Sequence, residues 1–113
     1  MKIAIISSVL PHHGGMGKVL DYEARELFKN NIDFTVFVPD YDKKIEVDYK
    51  IEYLKPKFRI GFLSYCPELK QKIIDGNFDI IYIHCPAHGL MEQILFLKLK
   101  IKNYKFLKLI IRW

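Results

Sequence analysis

The sequence has few cysteines and no long apolar run, and each shortage excludes a class of protein. Two cysteines in 113 residues cannot form a disulfide framework, so a disulfide-rich secreted domain is not predicted. No apolar stretch reaches the roughly 20 residues that a membrane-spanning helix needs, and the chain opens on a strand pattern instead of a signal peptide. We therefore expect a cytoplasmic protein with reduced thiols.

The remaining composition is that of one globular domain. Hydrophobic residues make up 50% of the chain and charged residues 27%, which is typical of a soluble domain, and the length allows one modest core. The formal net charge is +5, so the partners are expected to be anionic. Phosphorylated substrates, acidic lipid surfaces and nucleic acid all stay open at this point.

The amino-terminal residues 1–18 organise the rest of the chain. The apolar run Ile3–Ile6 is typical of a strand buried on both faces of a parallel sheet. A helical pattern follows, and between the two lie Gly14, Gly15, Met16 and Gly17. A strand, a glycine turn and a helix in this order bring backbone N–H groups to an anionic ligand. Glycine suits such a turn because a side chain would keep the ligand away from the backbone.

Strands and helices are predicted to alternate along the whole chain. The strand patterns are Ile3–Ser8, Phe34–Val38, Tyr49–Leu54, Phe78–Ile83 and Phe106–Arg112. The predicted helices are Met16–Asn30, a short helix with Pro67 in its first turn and Gly76 just past its end, and Ala87–Lys100, whereas Lys55–Tyr65 is predicted to be irregular. The alternation favours an α/β fold with a doubly wound, Rossmann-like parallel sheet, strand order 3-2-1-4-5, and helices on both faces.

In that order the first and fourth strands are neighbours, and the winding of the sheet reverses between them. Ligands of doubly wound sheets bind outside the carboxyl ends of the strands at this reversal. The loops Val9–Gly17 and His84–Gly89 leave the sheet there. We therefore expect His84 and the glycine turn to face one crevice.

The glycine turn matches neither of two common phosphate-binding motifs. Leu20 stands where a dinucleotide fingerprint has its third glycine. In a comparison with the P-loop, Val19 replaces the Ser or Thr and His12 replaces the first glycine. A tight turn that only lets the strand and the helix pack therefore stays open as an alternative.

The histidines and cysteines do not predict a metal site. Cys85 and His88 have half of a zinc-binding spacing, but the chain has no second cysteine pair. No Ser-His-Asp order or paired carboxylate is found either, so no catalytic residue is assigned. The basic tail Leu95–Trp113 has the chemistry of a membrane or nucleic-acid surface. A helix and a buried strand joined by a basic turn is the favoured interpretation of that tail.

Taken together, these residues resemble the start of a glycosyltransferase family 4 enzyme with the GT-B architecture. Members begin with a strand, a proline, a glycine pair and a helix that leads to a valine-rich strand, matched here by Ile3–Ser8, Pro11, Gly14, Gly15 and Phe34–Pro39. Their second landmark is an aspartate, an apolar strand and a terminal histidine, matched by Asp79–His84. The resemblance extends over nearly the whole chain but covers only the amino-terminal domain of the family.

The resemblance implies that residues 1–113 form the amino-terminal, acceptor-side domain, and that a carboxyl-terminal domain absent from this chain holds the donor. The full-length protein would be a hexosyltransferase-type enzyme, and the fragment alone would be inactive. Its partners would be a nucleotide sugar and a glycan, lipid-linked or small-molecule acceptor. The sugar would be transferred with retention to an acceptor hydroxyl, without a metal or a cofactor. Gly14, Gly15, Met16 and Gly17 would approach the donor diphosphate and the acceptor, and His84 would bind the acceptor.

Two alternatives from other classes are kept. One is a non-enzymatic nucleotide- or phosphate-binding module with the same doubly wound fold, since the glycine turn serves both functions. The other is a basic module for a membrane or nucleic-acid surface. A peripheral membrane contact is compatible with the leading hypothesis, whereas nucleic acid is not expected as a partner.

Overall fold

The five predicted strands form one parallel sheet. A computed structural model describes residues 1–11, 14–60, 63–84, 87–100 and 108–112. In chain order its elements are β1 (Lys2–Ser7), α1 (Gly14–Lys29), β2 (Asp33–Pro39), β3 (Ile51–Leu54), β4 (Phe58–Ile60), β5 (Leu63–Tyr65), α2 (Glu68–Gly76), β6 (Ile80–His84), α3 (Leu90–Lys100) and β7 (Lys108–Arg112). The large sheet has the order β3-β2-β1-β6-β7, which confirms the predicted order because β6 and β7 are the fourth and fifth predicted strands.

Strand β1 lies at the centre of the sheet and pairs in parallel with β2 and β6. The β6 register is fixed at its start by Asp79, whose carboxylate accepts a hydrogen bond from the backbone N–H of Lys2 at 2.9 Å. The backbone N–H of Asp79 donates to the carbonyl of Lys2 at 2.8 Å. This register places His84 opposite Ser7, so the carboxyl ends of the two strands meet as predicted.

Each face of the sheet has its own core. The alternating side chains of β1 separate the two, because Ala4 and Ile6 lie on one face and Ile5 on the other. Helices α2 and α3 cover the first face with Leu69, Ile73, Leu90 and Ile94. Helix α1 covers the second face with Leu20 and Ala24. Complete burial of one such large aliphatic side chain is worth about 1.5–3 kcal/mol, so the two cores hold the helices in place on both faces.

The boundaries of α1 and α2 differ from the prediction. Helix α1 begins at Gly14 instead of Met16, so the predicted glycine turn is the first turn of the helix. Gly76 is the last residue of α2, and Asn77 takes the left-handed cap with φ 52° and ψ 48°. Glycine is therefore not needed at position 76 as the helix cap. It is needed because a Cβ there would overlap the Phe78 ring.

Helix α3 ends at Lys100 as predicted, but begins at Leu90 instead of near Ala87. Strand β7 begins at Lys108, and the first predicted residues of that strand, Phe106 and Leu107, lie outside the described residues. Two strands start later than predicted, β3 at Ile51 and β6 at Ile80. These shifts leave the order of elements unchanged.

The segment predicted to be irregular contains a small hairpin. Strands β4 and β5 pair in antiparallel fashion with Phe58 opposite Tyr65 and Ile60 opposite Leu63. Three-residue strands are too short to show a periodic pattern, and Pro56 and Gly61 indicated a loop. The backbone N–H of Ser64 donates to the carbonyl of His88 at 3.0 Å, which fixes the hairpin beside the start of α3.

Candidate functional site

The glycine-rich first turn of α1 is open to an approaching ligand. Gly14, Gly15 and Met16 are exposed, whereas Gly17 is buried against the domain. A Cβ added at Gly14 or Gly15 would meet no atom of the described residues within 4 Å, so packing against those residues does not require these glycines. Gly14 has φ +68°, a conformation that favours glycine and turns the chain into the helix.

The electrostatics of this turn favour an anion. The first N–H groups of a helix have no carbonyl partner within the helix and carry the positive end of its dipole. The first turn of α1 contains no acidic residue, so no carboxylate of that turn offsets the dipole. Lys18 is exposed in the next turn. The helix start therefore has the donors and the charge that a phosphate oxygen requires.

His84 lies at the end of β6, opposite Ser7 of β1. Its side chain is 1% exposed, and its ring lies 6.2 Å from the ring of Tyr82, centroid to centroid. Burial lowers the pKa of His84 below its ordinary value of 6.5, because the charged imidazolium loses water contacts. The neutral imidazole is therefore the dominant form at pH 7, and it can accept a hydrogen bond.

The carboxyl edge also holds polar atoms whose hydrogen bonding is incomplete. Within the described ranges, His84 Nδ1, Ser8 Oγ and Ser64 Oγ are buried and have no hydrogen-bond partner. A buried polar atom left unpaired costs about 1–3 kcal/mol. The three atoms come from the ends of β1 and β6 and from the hairpin that follows β3. Each such group requires an explanation, and a binding or catalytic role is one of those that apply.

The loops after β1 and β2 are tied together at this edge. The Ser7 hydroxyl accepts a hydrogen bond from the backbone N–H of Val9 at 3.0 Å and closes the turn after β1. The Tyr41 hydroxyl donates to the carbonyl of Ser8 at 2.6 Å. The Arg59 guanidinium of β4 lies 4.4 Å from the centroid of the Tyr41 ring. These contacts give the edge a fixed shape beside the glycine turn.

A polar cleft flanks the same edge beyond β2 and β3. It has a volume of about 570 Å³ and is lined by Asp40, Asp42, Lys55, Pro56, Phe58 and Arg59. The backbone N–H of Asp42 donates to Asp40 at 2.9 Å, and Lys44 lies 3.1 Å from the same carboxylate. Both contacts hold the pKa of Asp40 below its usual range, the Asp42 hydrogen bond contributing most.

Other features add little to the site. In the part of the chain that the structure describes, no three His, Cys, Asp or Glu side chains are grouped closely enough to hold a metal ion. Cys85, the first residue of the predicted zinc half-spacing, lies outside those residues, as do His12 and His13, whereas His88 is described and exposed. None of the helices in the described ranges is long and apolar enough to cross a membrane.

The structure therefore places the predicted residues at one edge of the sheet, with the glycine turn at the start of α1 and His84 at the end of β6. Their roles toward a ligand remain predictions. The sequence analysis missed Ser8, Tyr41 and Arg59. The serine pair directly after the first apolar run was a usable signal for Ser8, whereas nothing local indicates that Tyr41 and Arg59 meet.

The comparisons with known proteins point in one direction. The sequence profile of the family described as Glycosyltransferase Family 4 matches residues 13–103, which is most of the chain and includes the glycine turn and His84. No significant similarity was found to a curated protein or to a solved structure.

Proposed function

We propose, since this chain belongs to glycosyltransferase family 4, that it forms the acceptor-side domain of an enzyme that transfers a sugar from a nucleotide sugar to an acceptor hydroxyl. The family assignment supports glycosyltransferase activity in general. Transfer with retention, a hexose as the sugar and a separate carboxyl-terminal donor domain are parts of the proposal that come from the family resemblance. The nucleotide sugar is a substrate in this scheme, which uses no metal and no cofactor.

One observation carries the proposal: the exposed glycine turn without an acidic residue, at the carboxyl edge where His84 ends β6. Cleavage of a sugar–diphosphate bond builds negative charge on the leaving phosphate. The N–H groups of Gly14, Gly15 and Met16 would stabilise that charge as fixed dipoles, without reorganisation at the moment of reaction. The open space at Gly14 and Gly15 lets phosphate oxygens come close to the backbone.

His84 would orient the acceptor. Its neutral imidazole has a buried Nδ1 with no hydrogen-bond partner among the described residues. Once uncovered, this nitrogen would accept a hydrogen bond from an acceptor hydroxyl and hold the oxygen toward the sugar. Burial disfavours the imidazolium, and in the Nε2–H tautomer of the neutral ring Nδ1 would be the acceptor nitrogen at neutral pH. The proposed role is therefore positioning, with no general-base step assigned.

A size series at Gly15 tests the anion site. In the full-length protein, Gly15→Ala and Gly15→Val should reduce transfer from a panel of nucleotide sugars progressively, with a loss of about a hundredfold for valine. Thermal unfolding of both variants should match the wild type, because the space around Gly15 is empty. Normal kinetics in a folded Gly15→Val protein would contradict the proposal.

The same assay separates the enzyme from its main alternative. A non-enzymatic phosphate-binding module would bind nucleotide diphosphates through the glycine turn yet transfer no sugar to any acceptor. His84→Gln should lower transfer about a hundredfold, whereas His88→Gln, an exposed control near the end of the loop that follows β6, should not. Equal effects of the two histidine variants would remove His84 from the site.

A further inference from the structure

The hairpin β4–β5 presents an apolar outer face to solvent. The side chains on this face and their exposed fractions are Phe58 51%, Ile60 73%, Leu63 38% and Tyr65 38%. Cross-strand pairing places Phe58 beside Tyr65 and Ile60 beside Leu63, and the first two rings stack with centroids 6.0 Å apart. None of the four belongs to either core of the domain. We call these four residues the hairpin face.

The hairpin face is held outward by contacts on the opposite side. Ser64 is fully buried, and its backbone N–H is bonded to the carbonyl of His88. A Cβ at Gly89 would overlap the Ser64 backbone, so the hairpin and the start of α3 are in close contact. Arg59 lies over the Tyr41 ring on that same inner side. The exposed apolar side chains therefore belong to a ribbon that is anchored to the domain.

The charged residues next to the hairpin face in the sequence are all basic. Residues 54–67 contain Lys55, Lys57 and Arg59 and no acidic residue. The three side chains form no ion pair among the described residues, although Asp40 and Asp42 share a cleft with Lys55 and Arg59. Glu68 shares a smaller cleft with both lysines, and Asp40 is paired with Lys44. The hairpin segment itself therefore carries three cations and no carboxylate, while the acidic side chains nearby lie in the two neighbouring clefts.

We propose that the hairpin face inserts into the interfacial layer of a bilayer that carries anionic lipid headgroups. Apolar side chains flanked by cations are the combination that holds a protein at such an interface, through buried apolar area and attraction to anionic lipids. Two copies of the chain meeting face to face would bring like charges together, whereas an anionic headgroup layer satisfies the apolar and the charged residues at once. This inference does not depend on the proposed transferase activity.

Vesicle co-sedimentation of the full-length protein tests the apolar part of the proposal. The protein should bind vesicles of phosphatidylcholine mixed with phosphatidylglycerol, and Ile60→Ser or Phe58→Ser should weaken binding about tenfold. The matched control is Phe28→Ser on α1, where the phenylalanine is 48% exposed, and it should bind like the wild type. Circular dichroism checks folding, and Ile60→Ser is the safer variant because no ring of the described residues stacks on Ile60, whereas the Phe58 ring stacks on Tyr65.

Charge provides the second arm of the test. Lys57→Gln should weaken binding about fivefold, whereas Lys43→Gln, an exposed lysine in another loop, should not. Binding should fall when about 0.1 M salt is raised to about 1 M, because the Debye length shortens from about 10 Å to about 3 Å. Equal binding to pure phosphatidylcholine vesicles, or an equal loss in Phe28→Ser, would overturn the proposal. A lipid-free dimer that Ile60→Ser abolishes, without vesicle binding, would assign the hairpin face to a second copy and overturn it as well.

Discussion

The Tyr49 hydroxyl donates a hydrogen bond of 2.7 Å to the carboxylate of Asp21, which lies 28 residues earlier in the chain. The other carboxylate oxygen accepts a hydrogen bond of 2.8 Å from Arg25. Asp21 is only 7% exposed on α1, so these donors replace much of the water that it loses. The contact joins α1 to the chain that enters β3, where Tyr49 is buried in the core and the strand begins two residues later, at Ile51.

We predict that Tyr49→Phe lowers the free energy of unfolding by about 1.5–3 kcal/mol, because the bond is made to a buried carboxylate. Urea unfolding monitored by circular dichroism measures the change. The matched control is Tyr22→Phe, where the tyrosine is 66% exposed on the same helix, and it should unfold like the wild type. Equal stabilities of the two variants would show that the Tyr49–Asp21 bond contributes nothing.

Gly89 provides a second stability prediction. It has φ +87°, and a Cβ there would overlap the Ser64 backbone. Gly89→Ala should therefore cost about 2 kcal/mol or more, from backbone strain together with displacement of the hairpin. Gly15→Ala is the control, since it adds a methyl group in open space and should be neutral or slightly stabilising. The thermal midpoints of the two variants should differ in this direction, and a stable Gly89→Ala protein would mean that the hairpin shifts freely.

His84 should make stability depend on pH. The unfolded chain takes up a proton near the ordinary pKa of 6.5, whereas burial keeps the pKa of folded His84 lower. Unfolding then binds a proton between the two pKa values, so this stabilisation is present above pH 6.5 and is lost as the pH falls toward the folded pKa. Urea midpoints measured from about pH 8 down to about pH 5 should fall less steeply in His84→Gln than in wild type or His88→Gln. Parallel pH profiles of all three proteins would contradict the burial argument.

The thiol of Cys66 should be unreactive in the folded protein. Cys66 is buried, and desolvation raises its pKa to about 11, so very little reactive thiolate forms at neutral pH. In a Cys85→Ser background, which removes the second thiol, modification by a disulfide reagent should be about a hundredfold slower than in urea. Modification at equal rates in the folded and unfolded protein would show that Cys66 is accessible.

The order of the sheet could be predicted from the sequence because buried parallel strands are long apolar runs and the winding rules leave few arrangements. The hairpin could not be predicted, because strands of three residues are too short to show a periodic pattern. Pro56 and Gly61 are typical of a loop, and the apolar residues around them were therefore not interpreted as strands. The start of α1 was placed too late because glycines disfavour a helix interior, although the first turn accepts them. The positions of Gly14, Gly15 and His84 at one edge of the sheet could be predicted from the order of the strands, and their roles stay predictions. Tyr41 and Arg59 meet only through tertiary contacts.

The hydrogen bond between the backbone N–H of Lys2 and the Asp79 carboxylate joins residues 77 positions apart, so β1 is synthesised on the ribosome long before its partner β6. Strands β1, β2 and β3 emerge long before β6, so β1 is an edge strand of a half-built sheet until Ile80–His84 leaves the exit tunnel. An edge this apolar is a template for unwanted pairing between nascent chains. Nascent chains that stall before Ile80 therefore keep β1, an apolar strand, unpaired along one side.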